Sequence, residues 1–330
     1  MNRKLLNYLV CPSCDSSGIT YNEFSSRLKD GLLRCRSCNS WYIVEDDIIE
    51  LVKDDLNHNR KKDFYKRYSK KMNLLRLKDS RSILNAESVK QKRSQMNFFD
   101  DFSGHYILET HPFWRAYYSL FFDRFYSKIK KGSLILDLGC GSGLASLPFL
   151  NENYHIIGVD ISREMLKRAL SRLDKDQRTR HLFIVADAEN LPFREGIFDT
   201  CIGMGILHHV HSPKEVVESA KKCLKKDGVY LGHENNKTVF RPLFNMLMKI
   251  SELWHEEAGE EQFFSAKDLD RLFNGFTVKS STHAFLPPHI FKFFSETTSK
   301  KVLRFFDDFF GHIPLLKNTG GAIAFKARKL

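Results

Sequence analysis

Long apolar runs are missing from this 330-residue chain. No window approaches the ~18 consecutive apolar residues of a membrane span, so no transmembrane helix is expected. The opening stretch, MNRKLLNYLVCPSC, has two basic residues and a short apolar run. It lacks a small-residue cleavage site, so no signal peptide is expected. The expected compartment is the reducing cytoplasm, where cysteines are free or metal-bound rather than paired. Two phosphate-binding signatures are also absent. There is no G-x-G-x-x-G and no G-x-x-x-x-G-K-[ST], which argues against a nicotinamide-binding loop and a phosphate cradle. Internal repeats and low-complexity tracts are missing too. Acidic residues are outnumbered, 40 against 52 Lys and Arg, for a formal net charge of +12. The excess is concentrated between Arg60 and Arg93, where thirteen basic residues face three acids. Such a segment attracts polyanions, either RNA or an anionic membrane surface, unless it is merely a solvated face.

The length suggests about two domains, and the pattern divides the chain into three parts. Residues 1–53 read as a small β-rich unit. Residues 54–104 read as a basic helical linker. From 105 to 330, short apolar strands alternate with helical periods, which predicts a doubly wound parallel α/β sheet. The strands are expected at 133–138, 156–160, 182–186, 199–203, 228–232, 276–284 and 321–327.

Seven cysteines are present, and four form a pattern. Cys11-Pro-Ser-Cys14 and Cys35-Arg-Ser-Cys38 are two C-x-x-C knuckles with twenty residues between them. That spacing suits a four-thiolate zinc site. A closed tetrahedral site has no open position, so the predicted zinc is structural and supplies folding energy to a unit with a small core. The stretches around the knuckles, LLNYLVCPSC and LLRCRSCNSWYIVEDDIIELV, resemble the zinc-ribbon domain related to the activator subunit of several eukaryotic methyltransferases. Ile43, Asp47 and Ile49 stand where that family usually has a Pro and a Gly-Ile-Pro, so the last turn is expected to differ.

Glycine is sparse at 18 residues, yet Gly139, Gly141 and Gly143 stand at alternate positions in Asp137-Leu-Gly-Cys-Gly-Ser-Gly143. The cluster follows the first strand of the sheet. It lets the backbone turn sharply and lets a ligand approach without a Cβ in the way. Asp160 ends the second strand in IIGVDIS, where an acid suits ribose hydroxyls. Asp187 ends the third strand in FIVADAENLPF, where a carboxylate can accept from an exocyclic amine. GIFDTCIGMGILHHV supplies the fourth strand and its exit, and LKKDGVYLGHEN the fifth. In this order the stretches resemble class I S-adenosylmethionine-dependent methyltransferases, in particular the type that includes ubiquinone and menaquinone biosynthesis enzymes. The resemblance implies a Rossmann-like seven-stranded sheet. It places Asp137, Gly139, Gly141 and Gly143 against the methionine part of the cofactor and Asp160 with Ile161 at the ribose. Asp187 and Ala188 fall at the adenine, and Gly203 and Met204 at the sulfonium end.

Methyl transfer needs alignment above all, and a base only where the acceptor must lose a proton. His208, His209 and His233 are the candidate catalytic residues. His105, His111 and His211 are weaker candidates. No [DNS]-P-P-[YF] follows the fourth strand and no cysteine follows a proline, which argues against base-amine and cytosine-C5 methylation. Cys140, Cys201 and Cys223 read as core or loop residues. Two insertions, about 235–264 and 285–320, are expected to be helical lids over the acceptor. The second carries eight phenylalanines between Phe285 and Phe310. Val302, Phe306, Phe309 and Phe310 are spaced to form its inner face, with Lys300, Lys301 and Arg304 turned away toward headgroups or water. The expected acceptor is a hydrophobic or lipid-linked small molecule, met in the cytoplasm or at an anionic membrane surface. RNA, either rRNA or tRNA, is the alternative, and a non-enzymatic scaffold ranks third.

Overall fold

The computed structural model describes residues 3–25, 30–75, 77, 86–105, 110–126, 129–150, 154–250 and 262–330. All seven expected strands of the α/β region form. They are β5 (Leu134–Leu138), β6 (His155–Asp160), β7 (His181–Ala186), β8 (Phe198–Met204), β9 (Leu224–Asn235), β10 (Phe276–His283) and β11 (Ala322–Lys329). Their order is β7-β6-β5-β8-β9-β11-β10. The first five are parallel, and β11 is antiparallel to both β9 and β10. The central strands are continuous apolar runs because helices cover both faces: every residue of β5 and of β7 is buried.

The β-rich unit does not stand apart from this sheet. Its four strands are β1 (Ile19–Ser25), β2 (Asp30–Cys35), β3 (Trp41–Glu45) and β4 (Ile48–Leu51). They form an antiparallel meander whose last strand pairs in parallel with β7, Ile48 opposite Phe183 and Leu51 opposite Ala186. The expected seven strands thereby become eleven in one sheet. Ile48, Ile49 and Leu51 are buried, which is the physical reason for the pairing: an open β7 edge would expose unpaired backbone beside apolar side chains. The knuckle region adds backbone bonds. Val10 N–H donates to the Pro192 carbonyl at 2.9 Å, and Arg194 N–H donates to that of Tyr8 at 2.9 Å. Buried Arg163 seals the junction with charge, reaching Glu45 at 3.2 Å, Asp46 at 3.0 Å and Glu50 at 3.6 Å.

The linker splits into two helices with different duties. α1 (Asp54–Met72) lies on the β1–β4 unit, burying Phe64 and Met72 with Trp41 and Ile43. Three of its cations are closely paired: Arg60 reaches Glu45 and Glu50 at 2.6 Å each, Arg67 reaches Glu45 at 2.5 Å, and Lys61 reaches Asp54 at 2.5 Å. α2 (Ala86–Phe102) lies across the carboxyl ends of the parallel strands. The part of the basic segment at 76 and 78–85 lies outside the described residues.

The remaining helices begin where the sequence offers caps. Ser162 accepts from Met165 N–H at the start of α4 (Arg163–Ser171). Ser212 with Pro213 opens α5 (Pro213–Cys223). His111 with Pro112 opens α3 (Pro112–Phe125). Ser265 and Asp268 form a capping box on α7 (Ala266–Leu272). After the glycine cluster the chain makes a tight helical turn, Leu144–Phe149, with Pro148 inside it. Cys140, Cys201 and Cys223 are buried, as core residues should be.

Both insertions contain helix: α6 (Arg241–Ile250) in the first, a short turn at Pro288–Phe293 and α8 (Glu296–Gly311) in the second. Residues 251–261 of the first insertion lie outside the described residues. The inner face of α8 differs from the expected one. Ser299, Leu303 and Asp307 are buried, and Phe309 points outward. Asp307 sets this rotation: its carboxylate accepts from Ala284 N–H at 2.9 Å and meets Arg124 at 3.2 Å and His283 at 3.1 Å. Lys300 and Arg304 are not turned away either. They pair with Asp123 of α3 at 3.0 and 2.8 Å.

Candidate active site

A cleft of about 810 Å³ opens at the carboxyl ends of β5 and β8, where the strand order reverses. That is where open α/β sheets bind ligands. Gly139, Gly141, Asp160, Ile161, Asp187, Ala188 and Met204 line it. Gly139 has a φ of +65°, and a Cβ there would come within 2.8 Å of Ile206, so the turn requires glycine. Three expected residues sit behind the wall instead. Asp137 is buried and accepts from the Ser146 hydroxyl. Gly143 packs on Ala169, and a Cβ at Gly203 would overlap the Tyr230 hydroxyl at 2.0 Å.

The two acids behind the glycine turn are electrostatically loaded. Asp160 accepts from Gly141 N–H and Ser162 N–H, both at 2.8 Å. Burial nevertheless pushes its carboxyl up to about 6. Burial likewise pushes Asp137 up to about 7, against the Ser146 hydroxyl and with the charge of Asp160 adding to the shift.

α2 closes the cleft from outside. Its Gln91, Lys92, Gln95 and Phe99 are lining residues. Lys92, 6% exposed, reaches Asp187 and Glu189 at 2.6 Å each. Burial opposes its charge, but the two carboxylates outweigh that and raise its pKa. Glu189 also accepts from Ser212 N–H at 2.9 Å. Farther along, Asp100 accepts from the Ser162 hydroxyl at 2.5 Å, and Phe99 meets His209 edge to face. None of these α2 contacts was expected from a segment that reads as a basic linker. The only available signal was that Val89, Lys92, Met96 and Phe99 recur at helical spacing.

The histidines separate by role. His209 lines the cleft beside Phe99, and burial holds its pKa well below the usual value, with His208 adding to the shift. His211 lies 2.7 Å from Gln91. His208 Nδ1 lies 2.6 Å from Glu234, a fully buried carboxylate whose other oxygen accepts from Leu207 N–H at 2.8 Å. His233 is buried among the rings of Tyr117, Tyr118 and Phe121. Burial brings its pKa down to about 3, so it is neutral at physiological pH. His111 caps α3, accepting from Phe113 N–H at 3.2 Å, and the side chain of His105 lies outside the described residues.

The four cysteines converge from the knuckles. All four Sγ atoms lie within 4.8 Å of one another, with Cys11–Cys38 and Cys14–Cys35 at 3.6 Å. Tetrahedral zinc with bonds of ~2.3 Å sets its thiolates about 3.8 Å apart. The set therefore fits that ion.

Residues 136–232 match the methyltransferase domain family. Over that stretch, less than a third of its length, the chain carries a methyltransferase domain. Among curated relatives, it is 30% identical over 127 residues to the tRNA (carboxymethyluridine(34)-5-O)-methyltransferase alkbh8 of Xenopus tropicalis, covering 38% of this chain and 18% of that protein. It is 29% identical over 152 residues to the ubiquinone/menaquinone biosynthesis C-methyltransferase UbiE of Cronobacter sakazakii, covering 42% of this chain and 60% of that one. The chain thus spans less than two thirds of either relative. A solved S-adenosylmethionine-dependent methyltransferase from Thermotoga maritima shares the fold with a TM-score of 0.50 at 20% identity, over 72% of this chain and 100% of that one. The matched region of the methyltransferase domain runs from β5 into β9. It leaves out α2, both insertions and the cysteine knuckles.

Proposed function

We propose that the protein transfers the methyl group of S-adenosylmethionine to a hydrophobic or lipid-linked small molecule. The observation that carries this reading is the apolar surface of the two insertions, which rests on an aromatic core. Phe113, Tyr117 and Leu120 of α3 pack with Phe291 and with Leu303 of α8 into one buried cluster, flanked by Trp114. Phe240, Leu243, Met246 and Phe293 of the same insertions stay exposed, an apolar rim suited to an acceptor that arrives in or on lipid. On α1, Arg60, Lys61 and Arg67 already face carboxylates, while Lys62, Lys66, Lys70 and Lys71 are exposed and open to either kind of anionic surface. No helix among the described residues is long and apolar enough to cross a membrane, so any lipid contact in this reading is at the surface.

In this reading the turn at Gly139 and Gly141 lies along the methionine part, Asp160 accepts from the ribose hydroxyls and Met204 stands near the sulfonium. Asp187, shared with Lys92, and Ala188 hold the adenine. Bound S-adenosylmethionine supplies an electrophilic methyl group, and the chain aligns the acceptor with it and keeps water out. A structural zinc on Cys11, Cys14, Cys35 and Cys38 holds the knuckles against the 190–194 loop.

The test is transfer of tritiated methyl to a cell extract that is then separated into RNA, protein, lipid and small molecules. Label in the organic-soluble fraction is the expected result. Label in RNA, the kind of acceptor named for the Xenopus tRNA methyltransferase, overturns the reading.

A further inference from the structure

Lys92 stands in the wall of the cleft, on a helix outside the region that matches the methyltransferase domain family. Its ammonium lies 2.6 Å from Asp187 and 2.6 Å from Glu189. Both carboxylates are fixed by backbone. Asp187 also accepts from Glu189 N–H at 3.0 Å, and Glu189 accepts from Ser212 N–H, at the cap of α5, at 2.9 Å. This run of bonds from α5 through Glu189 aims Lys92 at Asp187. An ammonium carries three hydrogens. Two face the carboxylates, and the third has no acceptor among the described residues. Burial opposes the charge of Lys92, but the two carboxylates outweigh it, so the group stays a charged donor. α2 does not depend on this lysine alone for its place. Val89 and Met96 pack on the cluster that contains Leu166 and Val185, and Asp100 accepts from the Ser162 hydroxyl at 2.5 Å. A lysine needed only as an anchor has no reason to border the cleft, as this one does together with Gln91, Gln95 and Phe99.

We propose that Lys92 is a specificity-determining residue for the base of the cofactor: Asp187 accepts from the exocyclic amine of adenine, and the third hydrogen of Lys92 goes to a ring nitrogen beside that amine, N1 or N7. The proposal rests on the cofactor-binding part of the methyl-transfer reading above and adds to it a residue from α2. A carboxylate next to an ammonium is an acceptor–donor pair. Adenine offers the complement, an amino donor with an acceptor nitrogen on either side. A carboxylate alone holds any amino group, whereas the added cation demands an acceptor next to it. A buried donor that loses its acceptor is costly, so the pair disfavours a base with carbon at that ring position. Glu189 is the positioning residue. It acts through Lys92, balancing its charge and fixing its direction.

The test is calorimetry with S-adenosylhomocysteine and with its 1-deaza and 7-deaza analogues, each of which replaces one ring nitrogen by C–H. One of the two analogues is expected to bind the wild-type protein about tenfold or more weakly than the parent, since a hydrogen bond from a charged donor is lost. In Lys92→Met that analogue and the parent are expected to bind equally, and both more weakly than the parent binds the wild type. The ratio is what a merely structural lysine does not move, because loosening α2 weakens every ligand by the same factor. A penalty that persists in Lys92→Met overturns the proposal and leaves the cofactor reading standing. So does a wild-type protein that binds both analogues as tightly as the parent. Failure of the wild type to bind S-adenosylhomocysteine overturns both. Where Lys92→Met does not fold, the double variant Lys92→Met with Glu189→Gln removes one of the two facing charges and reports the same ratio.

Discussion

Helices α2 and α8 both cover the carboxyl edge of the sheet, and they do so by opposite means. α2 is a polar helix that buries a charge: Lys92 sits between Asp187 and Glu189, and Asp100 holds the N-cap of α4. α8 is rich in phenylalanine, yet it buries Ser299, Leu303 and Asp307 and leaves Phe305 63% and Phe309 54% exposed. Composition suggests the reverse, a solvated α2 and a greasy seam under α8. The difference shows that the partner surface, not the helix, decides which face is buried. Two acids stand at the end of β7 where α2 lands, and an arginine and a histidine stand at α3 and β10 where Asp307 lands.

The largest effect that separates the two sides should come from the cysteines. Structural zinc contributes on the order of 10 kcal/mol to small folds, and the knuckles bond to the loop that follows Asp187. Cys35→Ser is therefore expected to abolish hydrogen-exchange protection in β1–β4 and weaken it in β7 and the 190–194 loop. β11 and α8 should stay protected. Equal loss on both sides would show that the sheet is one cooperative unit.

Next come the two buried anchors. Lys92→Met leaves two carboxylates facing each other without a cation, at a cost of about 3 kcal/mol. Leu303→Ala opens a cavity of comparable cost, ~3 kcal/mol. Urea unfolding should report similar losses, but only Lys92→Met should weaken S-adenosylhomocysteine binding measured by calorimetry. If Leu303→Ala weakens it as much, the two covers are coupled.

A smaller effect follows from Asp160. Its pKa is raised to about 6 from the ordinary carboxylate value of ~3.9. The folded, ligand-free protein thus binds a proton between pH 4 and 6 that the unfolded chain does not. This group's contribution to stability is present below pH 4 and is lost as pH rises through 6. Ribose hydroxyls donate to the ionised form, so cofactor affinity has the opposite sign: it should be flat above pH 6 and fall up to about tenfold per unit below it. Calorimetry at pH 5 and pH 7 checks this, and Asp160→Asn should lose the dependence.

The smallest effect is expected on the outer face of α8. Phe305→Ala and Phe309→Ala should each change stability by less than ~0.5 kcal/mol, as exposed positions do. Their loss should show instead in weaker flotation with anionic vesicles if this outer face meets lipid. A loss of 2 kcal/mol or more in either variant would mean that the outer face packs in solution.

The glycine turn, Asp160, Asp187 and the seven strands were legible because each is written locally. A parallel strand buried on both faces has to be apolar, and a tight turn at its end has to be glycine. The two C-x-x-C pairs were legible for the same reason, since a knuckle is a turn of four residues. The dyad of His208 and Glu234 was half legible. Both residues stand beside readable strand ends, but 26 positions separate them, and nothing in either stretch states that β8 and β9 are neighbours. Lys92 was hidden altogether. Its partner lies 95 positions away, and a lysine in a basic run looks like any other until a carboxylate pair is placed over it.

The sequence by itself determined the parallel α/β core, the cysteine quartet and most of the residues that line the cleft, because hydrophobic periodicity and turn chemistry act over a few residues. Tertiary structure alone decided that the cysteine unit extends the sheet to eleven strands, that α2 closes the cleft through a buried lysine, and that α8 turns Phe305 and Phe309 to the outside. Each of those outcomes depends on which charge or edge lies opposite. That is fixed by the folding of distant segments against one another, and no local stretch of the chain carries it.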